Sequence, residues 1–98
     1  MQKDIRITVV TVAFNAREAL ETTIRSVAGQ DYPNLEYIVI DGGSADGSLE
    51  VIERHAADIT RWVSEPDRGI YDAMNKGVAM ATGDYCIFMN AGDTFVAP

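Results

Sequence analysis

Two nearly unbroken apolar runs, "ITVVTVAF" near the start and "LEYIVI" at 35–40, restrict what this chain can become. A strand with one wet face alternates apolar and polar side chains, whereas a run with little alternation suits a strand covered on both faces. We read strands at 5–14 and 35–40 on this basis, and at 59–64 and 85–89 from their Val, Ile and aromatic content. Between them the period changes. Leu20, Ile24 and Val27 recur at four and three residues, as do Ile70, Met74, Gly77, Val78 and Ala81, and each set makes one apolar helix face. Asn15 with Glu18 three residues on resembles a capping box, and Gly29 is placed to end that helix. Asp46 or Ser48 can cap a second helix, and Gly83 can end a third. The resulting order, β-α-β-α-β-α-β, calls for an α/β domain: a mainly parallel sheet with helices on both faces.

A chain of 98 residues suits one domain with one core, and 47% hydrophobic content removes it from the disordered class. The net charge of −7, with no cluster of Lys and Arg, argues against nucleic acid as a partner. The one cysteine, Cys86, cannot form an internal disulfide; within "YCIFMN" it is expected to be a buried small hydrophobe, in keeping with a reducing cytoplasmic setting. The longest apolar run falls far short of a membrane span, and "MQKDIRI" lacks the apolar core of a signal peptide.

Ligands of open parallel sheets bind outside the carboxyl ends of the strands. Those ends carry "AFN" (13–15), "DGG" (41–43), "SEPDRG" (64–69) and "NAGD" (90–93), so polar groups gather along one edge. Asp41 has two open readings: a turn residue leading into a helix, or a carboxylate held at the rim where Gly42 and Gly43 let a ligand approach. Asp46 reads as a cap. A calcium loop fails on register, because Gly43, Ala45 and Asp46 stand where the third and fifth ligands and the glycine belong. No G-x-G-x-x-G follows the first strand, and no phosphate loop of the G-x-x-x-x-G-K-[ST] kind is present. "SEPDRGIYDAMNKG" reads most plainly as a turn and a helix, with Asp67 or Asp72 near the helix start, Met74 in the core, and Asn75 and Lys76 in water. Asp93 reads as a turn residue or as a carboxylate for a nucleotide-bound cation, since magnesium in such sites takes one or two carboxylates and completes its shell with phosphate and water. His55 lacks the partners for a zinc site or a serine triad and belongs at a helix end.

These rim segments, in this order, resemble the family 2 glycosyltransferases of the GT-A fold, in particular bacterial enzymes that build exopolysaccharide and cell-surface glycans. "TVAFNAREALETTIRSVAGQDYPNLEYIVIDGGSADGS" is similar to the family's opening and "SEPDRGIYDAMNKGVAMATGDYCIFMNAGD" to its next block in one subgroup. The resemblance implies a Rossmann-like half with strand order 3-2-1-4. It also implies that Thr11, Ala13, Asn15 and Asp41 hold the base of a UDP- or GDP-sugar, with Asp67 and Asn75 beside them. Asp67 falls where the family often has an asparagine, and Asn75 falls in an A-R-N-x-G pattern. Asp93 matches the last acid of the family's D-x-D region, the contact for Mn2+ or Mg2+. Asn90 and Gly92 replace acids of the D-A-D-D form, which makes metal binding depend on the donor diphosphate. Met74 stands where many relatives have arginine, so the phosphate charge falls to Arg68 or Lys76, or to nothing in this chain.

The implied reaction is inverting transfer of a sugar to an acceptor hydroxyl, with a glycan or a lipid-linked acceptor. The resemblance places the catalytic base and most of the acceptor site beyond Pro98, so residues 1–98 are expected to be a donor-binding half with little turnover of its own. With the cysteine usage above, the expected location is the cytoplasm, the full-length form able to lie at the inner face of the membrane. An uncovered last strand favours a homo-oligomer. Two rivals remain. A receiver-like phosphoacceptor domain lacks the acids it needs after the first strand, where this chain has "TVAFNA". A non-catalytic nucleotide-binding or interaction fragment would share the same rim.

Overall fold

The structure, a computed structural model, describes residues 5–95; both chain ends lie outside the described residues. Four parallel strands, β1 (Ile7–Ala13), β2 (Leu35–Asp41), β3 (Arg61–Ser64) and β4 (Tyr85–Asn90), form one sheet in the order β3-β2-β1-β4, as the resemblance implied. Helices α1 (Arg17–Ala28), α2 (Ser48–Arg54) and α3 (Ile70–Met80) make the crossovers, with a short 3₁₀ turn at Ala56–Asp58.

The two apolar runs became the central strands because both of their faces are covered. Period-two alternation sends Val9, Ala13, Tyr37 and Val39 to the side packed by Leu20, Ile24 and Val27 of α1 and Val51 and Ile52 of α2. It sends Val10, Val12, Ile38 and Ile40 to the side packed by Ala73 of α3. Each fully buried Leu, Ile or Val contributes roughly 1.5–3 kcal/mol relative to exposure, and these two layers hold the strand ends in register.

Helix α3 departs from the expected face. Ala73 and Gly77 are its buried positions, while Ile70 and Val78 are about half exposed. Small residues are needed because the helix lies close over β1: a Cβ on Gly77 would come within 2.4 Å of Val10 Cγ1. The helix ends at Met80 with Ala81 extended, before Gly83, which instead lets the chain pass Thr8.

Cys86 is exposed, contrary to expectation. Among the described residues strand β4 has β1 on one side only, and Tyr85, Ile87 and Phe88 are exposed with it; Met89 alone in the strand is buried. Partial burial and the Glu36 carboxylate both push the Cys86 thiol's pKa up, so exposure does not make it a ready nucleophile. Glu36 itself is buried near the start of β2. It accepts hydrogen bonds from Thr8 Oγ1 (2.8 Å), Thr82 N–H (2.8 Å) and Thr82 Oγ1 (2.9 Å), and lies 3.5 Å from Arg6 Nη2.

Candidate functional site

The carboxyl ends of all four strands lie at one edge, with Ala13 beside Asp41, Asp41 beside Ser64, and Val12 beside Asn90. The chain leaves β1 for β2 on one side and later returns to β4 on the other, so the order reverses at β1 and the strand ends part there. A cleft of ≈ 540 Å³ opens at this place. Val12 and Ala13 line it from β1, Asn90 and Ala91 from the end of β4, Gly42, Asp67 and Gly69 from the loops after β2 and β3, and Ile70 from the start of α3. Phe14, 63% exposed, presents an aromatic ring at its mouth.

A hydrogen-bond chain fixes the rim. The Asn15 N–H donates to Ser44 Oγ at 2.7 Å, and Ser44 Oγ–H donates to Asp41 Oδ1 at 2.5 Å. Asp41 Oδ2 accepts from the Ser44 N–H and from Ser64 Oγ, both at 2.9 Å. Asn15, at φ +48°, also accepts the Ala45 N–H on its Oδ1 at 2.9 Å. The expected capping box is therefore absent: Asn15 is committed to the neighbouring loop, and α1 has no side-chain cap of its own. Asp46 supplies it instead. Its Oδ2 accepts the Arg17 N–H (3.1 Å) while its Oδ1 accepts Ser48 N–H (3.1 Å) and Ser48 Oγ–H (2.6 Å), so one carboxylate serves the starts of α1 and α2. The Ser48 hydroxyl, first among these bonds, holds the Asp46 carboxyl below the usual aspartate range.

Of the expected site residues, Ala13 and Asp67 line the cleft. Asp41 stands at its edge but has no exposed surface. Thr11 is not brought there: strand alternation turns it to the α1 side, where it is buried and hydrogen-bonded to Tyr37 Oη at 2.8 Å. Burial pushes the Tyr37 hydroxyl up to about 12, opposed by the Thr11 bond. Asn75 is exposed on α3, about 200° around the helix from buried Ala73, and so faces away from the sheet. Lys76 is occupied, its Nζ 3.1 Å from Glu65 Oε1 and 3.3 Å from the Pro66 carbonyl. Arg68 is exposed beside the cleft, and its guanidinium has no ion pair among the described residues.

Asp93 follows the end of β4 in a turn tied to α1. Thr23 Oγ1 donates to the Asp93 carbonyl (2.6 Å) and accepts the Gly92 N–H (2.8 Å), and Gly92 sits at φ +104°. Asp93 Oδ2 accepts the Asn90 N–H at 2.9 Å; Oδ1 has no hydrogen-bond partner among the described residues. The free carboxylate oxygen of Asp93 is a ligand of the kind a hard divalent cation takes, and Asn90 is exposed at the same turn. Among the described residues no group of three or more His, Cys, Asp or Glu could hold a metal, so a cation at Asp93 needs further oxygens from a ligand. No helix among the described residues is long and apolar enough to cross a membrane.

Phe14, Gly42, Ile70 and Asn90 escaped the residue-by-residue assignment as nucleotide or metal contacts. The apolar patterns hid Phe14 and Ile70, since the first ends the β1 run and the second begins the apolar face read for α3, yet both are exposed at the ends of their elements.

The sequence model described as "Glycosyl transferase family 2" matches residues 8–98. An uncharacterised glycosyltransferase of Mycobacterium tuberculosis is 42% identical over 93 residues, which are 94% of this chain and 36% of that protein. The amylovoran biosynthesis glycosyltransferase AmsB of Erwinia amylovora is 38% identical over 96 residues, 93% of this chain and 32% of its own. Among solved structures, the mannosyltransferase PcManGT of Pyrobaculum calidifontis, in complex with GDP-Man and Mn2+, superposes with a TM-score of 0.88 at 29% identity, over 97% of this chain and 30% of that one. Glucosyl-3-phosphoglycerate synthase of Mycobacterium tuberculosis, with Mn2+, UDP and glucosyl-3-phosphoglycerate, superposes at 0.74 and 27% identity, over 89% of this chain and 33% of that one. The chain thus spans about a third of the length of the relatives it matches. With the family model covering nearly its whole length, this chain belongs to glycosyltransferase family 2 and has the GT-A fold.

Proposed function

We propose that this segment binds the nucleoside-diphosphate-sugar donor of a glycosyltransferase that transfers a sugar, with inversion, to an acceptor hydroxyl in glycan biosynthesis. One observation carries the reading: the cleft at the strand-order reversal brings an aromatic ring, a carboxylate and the Asn90 turn to the same opening. Phe14 offers a face for a base to stack on, Asp67 an acceptor for its N–H, and Arg68 an unpaired cation for the diphosphate. Asp93, with Asn90, would hold Mn2+ or Mg2+; when bound, such an ion neutralises the charge of the leaving diphosphate. Everything this chain contributes is binding and orientation, which lowers the barrier by holding the donor in place. The base that takes the acceptor proton is assigned to the two-thirds of the relatives' length that this chain does not span, and transferase turnover by the segment alone is expected to be negligible.

Titration of the chain with UDP and GDP, with and without Mn2+, followed by amide chemical shifts, tests the reading. Shifts centred on residues 13–14, 42, 67 and 90–93, strengthened by Mn2+, are expected. Absence of saturable shifts at these positions with either nucleotide sinks it.

A further inference from the structure

Thr23 sits on the face of α1 that packs against the sheet, among Leu20, Ile24 and Val27, and is fully buried. A valine would fill the same space without the cost of burying a hydroxyl, so the bonds of that hydroxyl must account for the threonine. Its neighbour Thr22 returns its hydroxyl to its own helix, at the Glu18 carbonyl (3.2 Å). Thr23 reaches out instead: its oxygen donates to the Asp93 carbonyl at 2.6 Å and accepts the Gly92 N–H at 2.8 Å. The contact belongs to a stripe. Ala19, Thr23 and Ser26, at i, i+4 and i+7, meet the chain after β4 in turn, with the Ala19 carbonyl accepting the Gly92 N–H (3.1 Å) and Ser26 Oγ accepting the Phe95 N–H (2.8 Å). Asp93 is thereby held at each of its polar groups but one. Its N–H donates to the Asn90 carbonyl at 2.9 Å, its own carbonyl is taken by Thr23, and its Oδ2 accepts the Asn90 N–H at 2.9 Å, which leaves Oδ1. An aspartate that only shapes a turn needs the Asn90 bonds and not the clip to α1.

We infer that Thr23 is a positioning residue for the turn after β4: its hydroxyl, bridging Gly92 and Asp93, fixes the aim of the Asp93 carboxylate and thereby sets how much a divalent cation adds to donor binding. This rests on the reading of Asp93 as the cation's contact. One carboxylate oxygen is a slight hold on a cation that draws the rest of its shell from diphosphate and water. Its strength therefore depends on that oxygen standing ready, with no ordering left to be done on binding. Partners that orient a metal ligand typically carry roughly ten- to hundredfold in metal affinity. Loss of the hydroxyl frees the Asp93 carbonyl and leaves Gly92 with the longer Ala19 bond. Thr23 does not line the cleft, so contacts to the nucleotide away from the turn stay as they are.

The test is calorimetric titration of the chain with UDP and GDP, with and without Mn2+, together with hydrogen exchange of the Gly92 amide in the metal-free chain and circular dichroism to confirm folding of each variant. Thr23→Val should reduce the Mn2+-dependent gain in affinity roughly tenfold, or erase a smaller one, leave metal-free affinity unaltered, and speed exchange at Gly92. Thr23→Ser keeps the hydroxyl and loses a buried methyl, so it should melt lower yet keep both the gain and the slow exchange. A merely structural role for Thr23 predicts the opposite, with the gain following stability. Thr22→Val should change none of these. Ser26→Ala, at a partly buried position one turn on, should show a smaller loss of the gain and decides the matter if Thr23→Val does not fold. The inference falls if Thr23→Val, or Ser26→Ala in its stead, keeps the full gain, or if Thr23→Ser loses it as Thr23→Val does; saturable binding of UDP or GDP then leaves the donor-site reading standing. If the unaltered chain binds nucleotide with no gain from Mn2+, the inference falls together with the Asp93 assignment. If it binds neither nucleotide, the whole donor-site reading falls as well.

Discussion

Replacing Glu36 by glutamine keeps its shape and removes its charge, at a site where four donors converge and almost no solvent reaches the side chain. Burial by itself would push this carboxyl up, but the Thr82 N–H, the Thr8 and Thr82 hydroxyls and Arg6 outweigh it and bring its pKa below the usual glutamate range. The glutamine oxygen can keep the Thr8 and Thr82 N–H bonds. Its NH₂ must then point at the Arg6 guanidinium and at the Thr82 hydroxyl, which already accepts Arg6 Nε–H at 3.0 Å. Bonds to a charged group contribute about 1.5–3 kcal/mol and neutral ones about 0.5–1.5 kcal/mol. Two bonds weakened and two disrupted make a loss of about 2–3 kcal/mol the expected outcome, with Glu36→Ala at about 3–5 kcal/mol because it leaves buried donors unpaired. For a domain this small the glutamine variant should melt roughly 8–20 °C lower. Because the folded pKa is depressed, the stabilisation is complete above the ordinary glutamate range and is lost as pH falls through the lowered folded value. The difference between the two proteins should therefore be constant near neutrality and shrink in acid. Urea unfolding followed by fluorescence of Trp62, the one tryptophan, measures it. Glu36 lies at the end of the sheet opposite the cleft, so nucleotide affinity of the folded variant should be unchanged. A loss below about 0.5 kcal/mol, within the range of an ordinary surface substitution, would refute the account of Glu36 as a charged tie.

Gly77→Ala should cost about 1–3 kcal/mol, since its methyl meets Val10 and α3 must lift from the sheet; the same unfolding assay reads it. Asp46→Ala should destabilise the chain above the ordinary aspartate range and have little effect in acid, where the native carboxylate is protonated as pH passes its lowered folded pKa; melting curves across pH show whether the gap closes. Asp93→Asn should abolish the Mn2+-dependent gain in UDP or GDP affinity and leave metal-free binding unaltered, by calorimetry. The exposed Tyr85, Ile87 and Phe88 on the open edge of β4 should drive self-association at high concentration, and Phe88→Lys should reduce it. Sedimentation showing the unaltered chain monomeric throughout would count against this last expectation.

Element order, helix placement and the polar edge of the sheet were legible because they follow from period and punctuation: runs covered on two faces, helices between, polar groups at the strand ends; the strand order 3-2-1-4 came from the family resemblance and not from the pattern. The site was legible in outline and less so in detail. Thr11 sits in a rim motif by sequence, yet side chains two apart share a face and one apart do not, and it belongs to the face that α1 covers. Asn15 and Glu18 have the spacing of a cap, but Asp46, from the next loop, competes for the same helix start. Asp41 and Asp67 look alike as letters beside glycine. Only packing separates the acid surrounded by serines from the one that faces open space, because burial is a property of the whole fold. Cys86 misled for the same reason, since an apolar run says that a strand can be covered and not that it is.

Because every pairing in the sheet is parallel, no strand can zip onto its sequence neighbour through a tight hairpin. Strand β1 bears this most heavily: Ile7 meets Leu35 on one side and Tyr85 on the other. During synthesis β1, β2 and β3 can assemble first, with one flank of β1 still unfilled until β4 leaves the ribosome. That interval is when a chaperone, or a stray strand from another chain, has its opening.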